Sequence, residues 1–286
     1  MSDAFKKFDL SGKTALVTGG GTGIGYYMTR GLMRSGARVM IAARRGEVLE
    51  QAAAKLRSES KAGSVCSHTV DLSRRESIKA LAEHAIKTLD GVDIFIGNAA
   101  QDVFESVEKI SDAVIDQLFQ VNTSANIELV RVFLPGMRRK KWGRILFSSA
   151  GASVAASAQD SMAIYSATKA ALNSFARTTA AEAGHDGVTV NSLILGGYIT
   201  PMMAEHLALL EKTQGREVAK SFTDGFASMM ALGRMGRCDE VEGIIQLLAS
   251  DAGSFITGTS LAVDGGLGIM LRPHTPPEHP VYPPPF

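Results

Sequence analysis

Short apolar, β-branched runs recur along the chain at Thr14–Thr18, Arg38–Ala42, Val65–Val70, Val92–Ile96, Arg144–Ser148, Val188–Leu195 and Ser260–Val263, and the stretches between them are longer and helical in pattern. Several runs, such as Ile145–Phe147, are apolar at every position rather than at every second one. That is the pattern of strands buried on both faces of a sheet. Strands alternating with helices predict βαβ units and a parallel sheet. The expected fold class is therefore α/β, a doubly wound parallel sheet whose ligands bind at the carboxyl ends of the strands, where the strand order reverses. One helix is expected to open on a capping box, Ser73-Arg74-Arg75-Glu76, in which the Ser and Glu side chains satisfy each other's backbone donors. No internal repeat is visible.

Composition narrows the picture in three ways. The chain has 286 residues, 45% of them hydrophobic and 21% charged, enough apolar content for one sizeable core. Seven of the nine prolines fall in Arg272–Phe286, so the natural division is a domain over 1–271 and a Pro-rich tail over 272–286. Such a tail favours extended geometry. It is read either as a disordered end or as a strap anchored through Tyr282 and Phe286. The formal charge of +1 supplies no global field toward nucleic acid or an anionic membrane, so neither is expected as a partner.

The two cysteines, Cys66 and Cys238, and an opening segment without the apolar stretch of a secretory signal fit a reducing, cytoplasmic setting. No run of eighteen apolar residues predicts a membrane span. The six histidines show no zinc-ligand spacing, and no metal is expected.

Directly after the first strand stands Thr18-Gly19-Gly20-Gly21-Thr22-Gly23-Ile24-Gly25, followed by a helical stretch over Tyr26–Ser35. Glycines there permit a tight turn and let backbone N–H groups approach a pyrophosphate, which rests on the positive end of the helix. The spacing differs from the strict G-x-G-x-x-G fingerprint. At the end of the second strand, where NAD-binding members of such folds place a carboxylate on the ribose, the chain reads Ala42-Ala43-Arg44-Arg45. Nothing there repels a 2′-phosphate, and a guanidinium accepts one through charge-assisted hydrogen bonds of roughly 1.5–3 kcal/mol each. NADP(H) is expected over NAD(H).

Tyr165 and Lys169 stand at i and i+4 in an alanine-rich helical stretch and project from one face. A phenol with pKa near 10 is too weak an acid for efficient proton transfer at neutral pH, and a nearby ammonium is expected to lower it by about 1–3 units. The pair follows a strand ending in Ser148-Ser149, which brings hydroxyls to the carboxyl edge of the sheet.

Together these residues resemble the short-chain dehydrogenase/reductase family, from about Gly12 to Gly266. The ordered matches are the TGxxxGIG turn at Thr18–Gly25, Asp71 after the third strand, Asn98-Ala99 after the fourth, Asn122, Ser149, Tyr165 and Lys169. Leu232-Gly233-Arg234, Leu248-Ala249-Ser250-Asp251 and Val263-Asp264-Gly265-Gly266 extend them.

The resemblance implies a Rossmann fold and a homo-oligomer, tetramer or dimer, acting on a small-molecule carbonyl or alcohol substrate. It implies Tyr165 as general acid and base, Lys169 on the nicotinamide ribose, Ser149 orienting the carbonyl and Asn122 supporting a water-linked proton relay. Cofactor contacts are implied at Gly19, Gly21, Thr22, Gly23, Ile24, Gly25, Arg44, Arg45, Asp71, Leu72, Asn98, Ala99, Ala100, Gly197, Ile199 and Thr200, besides Tyr165 and Lys169.

Three features depart from the family pattern. Asn-Asn-Ala-Gly appears as Gly97-Asn98-Ala99-Ala100, and Pro-Gly before the carboxamide contact appears as Gly196-Gly197, a change expected to loosen that loop. Fifteen residues separate Ser149 from Tyr165, more than the family usually has, which makes Ser153 a competitor for the serine role. Between Thr200 and Ala231 lie Met202, Met203, Leu207, Leu209, Leu210, Phe222, Phe226, Met229 and Met230, read as a substrate-covering lid for a bulky or elongated apolar ketone. Two other readings stay open: a 3-oxoacyl thioester reductase, and an NADP-binding regulator or scaffold without the chemistry.

Overall fold

In the computed structural model, which describes residues 3–60, 62–154 and 161–269 apart from the side chains of 3, 4 and 202, every predicted strand is present. The tail over 272–286 and part of the loop between Ala150 and Ser161 lie outside the described residues, as does the Met202 side chain. In chain order the elements are α1 (Asp3–Lys6), β1 (Thr14–Thr18), α2 (Gly23–Arg34), β2 (Arg38–Ala43), α3 (Gly46–Glu59), β3 (Ser64–Thr69), α4 (Arg75–Leu89) and β4 (Ile94–Gly97). Then come α5 (Asp112–Phe119), α6 (Ala125–Lys140), β5 (Gly143–Ala150), α7 (Ala163–Ala183), β6 (Val188–Leu195) and β7 (Tyr198–Ile199). The last are α8 (Pro201–Gln214), α9 (Arg216–Ser228), β8 (Gly236–Arg237), α10 (Glu242–Ala249) and β9 (Ser260–Val263).

Seven strands form one parallel sheet in the order β3-β2-β1-β4-β5-β6-β9. The order reverses between β1 and β4, so the ligand crevice of this doubly wound sheet opens beyond Thr18 and Gly97, which are paired in register. Burial on both faces explains the apolar strands. Along β1, Ala15 and Val17 join the layer holding Met28 and Leu32 of α2 and Ile245 and Leu248 of α10. Leu16 faces the other way, toward Leu81 of α4, Leu129 and Phe133 of α6 and Leu172 of α7. Period-two alternation thus feeds two helical layers. Among the described residues no helix is long and apolar enough to cross a membrane.

Two local expectations are corrected. The fourth strand starts at Ile94 rather than Val92, because the buried Asp93 carboxylate takes the Thr14 amide at 3.1 Å and the Thr14 hydroxyl at 3.0 Å. The capping box at the start of α4 does not form. The Ser73 amide and hydroxyl both donate to Asp71 Oδ1, at 3.0 and 2.7 Å, and the helix begins at Arg75 with Arg74 as its uncapped boundary. An aspartate two residues before the serine offers a tighter local turn than the helix terminus does.

Unpredicted from the sequence is the short parallel pair β7·β8, which ties Tyr198–Ile199 to Gly236–Arg237. It holds the segment before α8, where Gly236 N–H donates to Gly197 O at 2.9 Å and Gly196 N–H to Val263 O at 3.3 Å. A side chain at Gly197 would run into the Met230 Cε, 2.6 Å from its Cβ position. The loop expected to loosen for want of a proline is therefore pinned by hydrogen bonds and close packing.

Candidate active site

The glycine turn lies at the switch point. Gly19 adopts φ +68°, a conformation that favours glycine, and its N–H donates to Ala42 O of β2 at 2.7 Å. A Cβ at Gly25 would sit 2.1 Å from Gly19 O, so only two glycines let the first turn of α2 close against the end of β1. Thr22 stands at the boundary of α2 without a side-chain cap bond, leaving the helix's first N–H groups directed into the crevice. Ile24 packs its side chain on the core. Gly23 faces Thr200 and Pro201, so the segment after β7 stands against the turn. There Thr200 Oγ1 caps α8 by accepting from Met203 N–H at 3.2 Å, and Ile199 O takes the Cys238 thiol at 3.3 Å.

Asn98 fastens three strand ends. Its Nδ2 donates to Thr18 O at 3.1 Å and Gly19 O at 3.3 Å, and its Oδ1 accepts from Ser148 Oγ at 2.9 Å. Thr18 Oγ1 accepts from the amides of both Asn98 and Ala99. Ala100 is exposed beyond them. At the end of β2, Arg44 and Arg45 are exposed, and their guanidiniums make no hydrogen bond or ion pair with another described residue, although Arg45 O accepts from Leu49 N–H at 3.1 Å. Arg44 is near enough to Asp71 to help lower that carboxyl below its usual range, an effect led by the Ser73 hydroxyl. Leu72, by contrast, is 6% exposed and belongs to the core, so only its backbone can face the crevice.

The candidate catalytic side chains come from β5, α7 and the helical turn before α6. Lys169 is 2% exposed and donates from Nζ to Ser148 O at 2.7 Å. Its Nζ lies 5.7 Å from the centre of the Tyr165 ring. Burial brings the Lys169 ammonium down to about 8, against the upward pull of the Asp102 carboxylate. Burial pushes the Tyr165 phenol up to about 12, and Asp102 adds to the rise. The expected lowering of the phenol by its lysine is not found here. The ammonium is turned to the Ser148 carbonyl, and desolvation of the phenolate decides the sign.

Ser149, 3% exposed, donates its hydroxyl to Ser153 Oγ at 3.0 Å, with Lys169 O at 3.4 Å. Ser153 donates to Ala150 O at 2.6 Å and accepts from Asn173 Nδ2 at 2.9 Å. The two serines proposed as rivals are thus neighbours in one chain of hydrogen bonds. Asn122 is fully buried in a π-helical turn over Gln120–Ser124, between α5 and α6. Its Oδ1 accepts from Gln101 N–H and its Nδ2 donates to Gln101 O, both at 2.8 Å, and Nδ2 also reaches Thr168 Oγ1 at 3.1 Å. It joins the loop after β4 to the helix carrying Tyr165 and Lys169.

Sequence reasoning did not single out Thr18, Ser148, Asn173 or Asp102 as site residues. Thr18 and Ser148 stand inside the quoted motifs without an assigned role, and Asn173 stands one helical turn beyond Lys169, so position was the available signal for those three. Asp102 gave none. In the segment expected to cover the substrate, α8 and α9 pack together with Phe222 between His206 and Phe226, ring centres 5.4 and 5.3 Å apart. Met203, Leu207, Leu210 and Met229 are half-buried, Met230 is 1% exposed, and Leu209 faces outward. Among the described residues no three His, Cys, Asp or Glu side chains gather as metal ligands.

The chain matches the short chain dehydrogenase family over residues 13–209. It is 31% identical over 261 residues to the 3-oxoacyl-[acyl-carrier-protein] reductase of Pseudomonas aeruginosa, spanning 90% of this chain and 98% of that one. It is 28% identical over 257 residues to the D-beta-hydroxybutyrate dehydrogenase of Cupriavidus necator, spanning 90% and 98%. Among solved structures, the L-sorbose reductase of Gluconobacter frateurii complexed with NADPH and L-sorbose superposes with a TM-score of 0.87 at 27% identity, covering 93% of this chain and all of that one. The parallel sheet with its glycine turn, the Tyr165–Lys169 helix against Ser149 and these similarities agree: the chain belongs to the short-chain dehydrogenase/reductase family of oxidoreductases.

Proposed function

We propose that this protein is an NADP(H)-dependent reductase of a ketone, with Tyr165 as the proton donor. The observation that carries the reading is the convergence of Tyr165, Lys169 and Ser149 at the carboxyl end of β5, beside the glycine turn of β1. The residues present support a dinucleotide cofactor. Glycines at 19 and 25 let the turn close against β1 and α2, where a Cβ would strike Asn98 Nδ2 at 2.8 Å or Gly19 O at 2.1 Å, and the exposed guanidiniums of Arg44 and Arg45 at the end of β2 support a 2′-phosphate there. Gly19–Gly25 would hold the pyrophosphate, Arg44 and Arg45 the 2′-phosphate, Asp71 the adenine, Asn98 to Ala100 the middle of the molecule, and Gly197, Ile199 and Thr200 the carboxamide. When bound, reduced nicotinamide supplies the hydride.

The chain's own residues supply position and the proton. Ser149 turns its hydroxyl to the carbonyl oxygen and stabilises the charge that develops there. Tyr165 gives that oxygen its phenolic proton. A phenol held near 12 is fully protonated at neutral pH, which suits the reductive direction. Lys169, held against Ser148 O, offers a positive charge beside the phenolate left behind, and Asn122 keeps the walls together. The half-buried Met203, Leu207 and Leu210 support an apolar body on the substrate.

The same reading takes the protein as a homo-oligomer, dimer or tetramer, in a reducing cytoplasm where its two free cysteines stay thiols. Light scattering that found a monomer would refute the first part. The deciding test is Tyr165→Phe: turnover of NADPH with ketones should vanish while NADPH binding stays within a few-fold. Undiminished turnover would remove the reading, and NADPH binding without turnover of any ketone would favour a binding-only role.

A further inference from the structure

Asn173 stands on α7 one turn beyond Lys169, so the two side chains leave the helix on the same side. It is 8% exposed, and beside it the helix gives Leu172 and Ala176 to the core. Its Nδ2 donates to Ser153 Oγ at 2.9 Å. Its Oδ1 is buried and has no hydrogen-bond partner among the described residues. A buried acceptor left unpaired costs stability, and an aliphatic side chain of the same size would avoid that cost. The bond that the amide does make leads toward Ser149.

Ser153 stands between the two. A serine hydroxyl has one proton and two lone pairs. The Ser153 proton goes to Ala150 O at 2.6 Å, and its lone pairs receive Asn173 Nδ2 at 2.9 Å and the Ser149 hydroxyl at 3.0 Å. Every direction of that oxygen is thus assigned, by the end of β5 on one side and by α7 on the other. Without the amide, the Ser153 hydroxyl would be free to turn about its Cα–Cβ bond, and its freed lone pair would hold the Ser149 proton more tightly. With the amide in place, Ser149 donates to an oxygen that already takes a second donor, and the two compete for its electron density. Such a bond is readily given up to a substrate.

We propose that Asn173 is a positioning residue for the reduction: through Ser153 it fixes the direction of the Ser149 hydroxyl and frees its proton for the carbonyl oxygen. It therefore acts on the chemical step and not on cofactor binding. The inference rests on the ketone-reductase reading.

The purified full chain is assayed for NADPH oxidation with acetoacetyl-coenzyme A, 2,3-hexanedione and acetophenone, and the fastest of the three serves for every variant. Asn173→Leu keeps the volume and loses the donor, so kcat should fall about tenfold while KM for NADPH stays within about twofold. Asn173→Leu combined with Ser153→Ala should be no slower than Ser153→Ala alone, because both act along one path. Asn173→Asp gives the readout that a packing defect would not move. An ionised carboxylate only accepts and draws the Ser153 proton away from Ala150 O, whereas the protonated group can donate as the amide does. Burial raises the pKa of such a carboxyl. Relative to the parent at each pH, Asn173→Asp should therefore be about tenfold slower at pH 7 and recover toward pH 5, while Asn173→Leu keeps a constant ratio. An NADPH-induced rise in Tm in each variant shows that the fold and cofactor site survive.

A further measurement needs no turnover. In protein labelled with nitrogen-15 at asparagine and free of nucleotide, the side-chain amide resonance that disappears in Asn173→Leu should shift in Ser153→Ala. Parent kcat in Asn173→Leu, additive losses in the double variant, or an amide resonance unmoved in Ser153→Ala would each overturn the assignment. If Asn173→Leu does not fold, a pH-independent ratio in Asn173→Asp overturns it instead. Failure of the reading beneath looks different: turnover of none of the three ketones, or turnover that survives Tyr165→Phe, removes the ketone reductase and this proposal with it. A flat Asn173 series with turnover still lost in Tyr165→Phe removes Asn173 alone.

Discussion

Ser149 Oγ lies 3.0 Å from Ser153 Oγ, and the direction of that hydrogen bond distinguishes their roles. Ser153 has one proton, committed to Ala150 O, and its lone pairs take Asn173 and Ser149. Ser149 can swing its proton to a substrate by giving up one bond. Ser149→Ala should therefore lower kcat by about 10²–10³-fold, the usual cost of one oxyanion donor. Ser153→Ala, which removes a support, should cost about tenfold. Steady-state kinetics on both variants decide it: full activity in Ser149→Ala with loss in Ser153→Ala would exchange the roles.

Lys169 sets a pH limit. Burial lowers its pKa to about 8, so in the free enzyme the ammonium is lost as pH rises through that value. If the charge supports proton donation by Tyr165, kcat/KM for NADPH in the reductive direction should fall above about pH 8, up to tenfold per unit. Tyr165, near 12, contributes no fall below pH 10. The linkage to stability has the opposite sign. A lysine lowered from 10.5 to about 8 on folding binds fewer protons than the unfolded chain between those values, so this group's contribution to stability rises with pH across that window. A pH–rate profile from 6 to 10 checks the first, and chemical denaturation at pH 7.5 and 9.5 checks the second.

Arg44 tests cofactor choice. Arg44→Ala should weaken NADPH binding by about 10–100-fold and leave NADH binding within about threefold, because only the former carries the 2′-phosphate. Fluorescence titration with both nucleotides gives the ratio. Equal losses would place the 2′-phosphate elsewhere.

Gly25 tests the cradle. An alanine there puts its Cβ 2.1 Å from Gly19 O, a backbone atom that cannot rotate away. Gly25→Ala should destabilise the protein by about 1–3 kcal/mol and abolish NADPH binding. A thermal melt with and without NADPH checks both. Retention of the NADPH-induced shift in Tm would mean that the turn yields more than its geometry indicates.

Much of the fold was readable because it is written in local patterns. β1, β6 and β9 coincide with their apolar runs, β2 differs by one residue at one end, and β3, β4 and β5 differ by one or two residues at each end. The shifted start of β4 shows why ends are harder: its cause is Thr14, 79 residues from Asp93. The failed capping box at Ser73 shows the same within one turn, since Asp71 competes for the same hydroxyl and a motif does not record its competitors.

The candidate site divides likewise. The amino-acid sequence by itself determined the α/β fold class, the glycine turn and the common face of Tyr165 and Lys169, because periodicity and i, i+4 spacing act through neighbouring backbone. Only the tertiary structure decided that Lys169 faces Ser148 rather than the Tyr165 hydroxyl, that Ser149 and Ser153 share one hydrogen bond, and that burial pushes the Tyr165 phenol up rather than down. Those outcomes depend on which distant groups exclude water from one another, and solvation is a property of the packed assembly of segments, which no single segment carries.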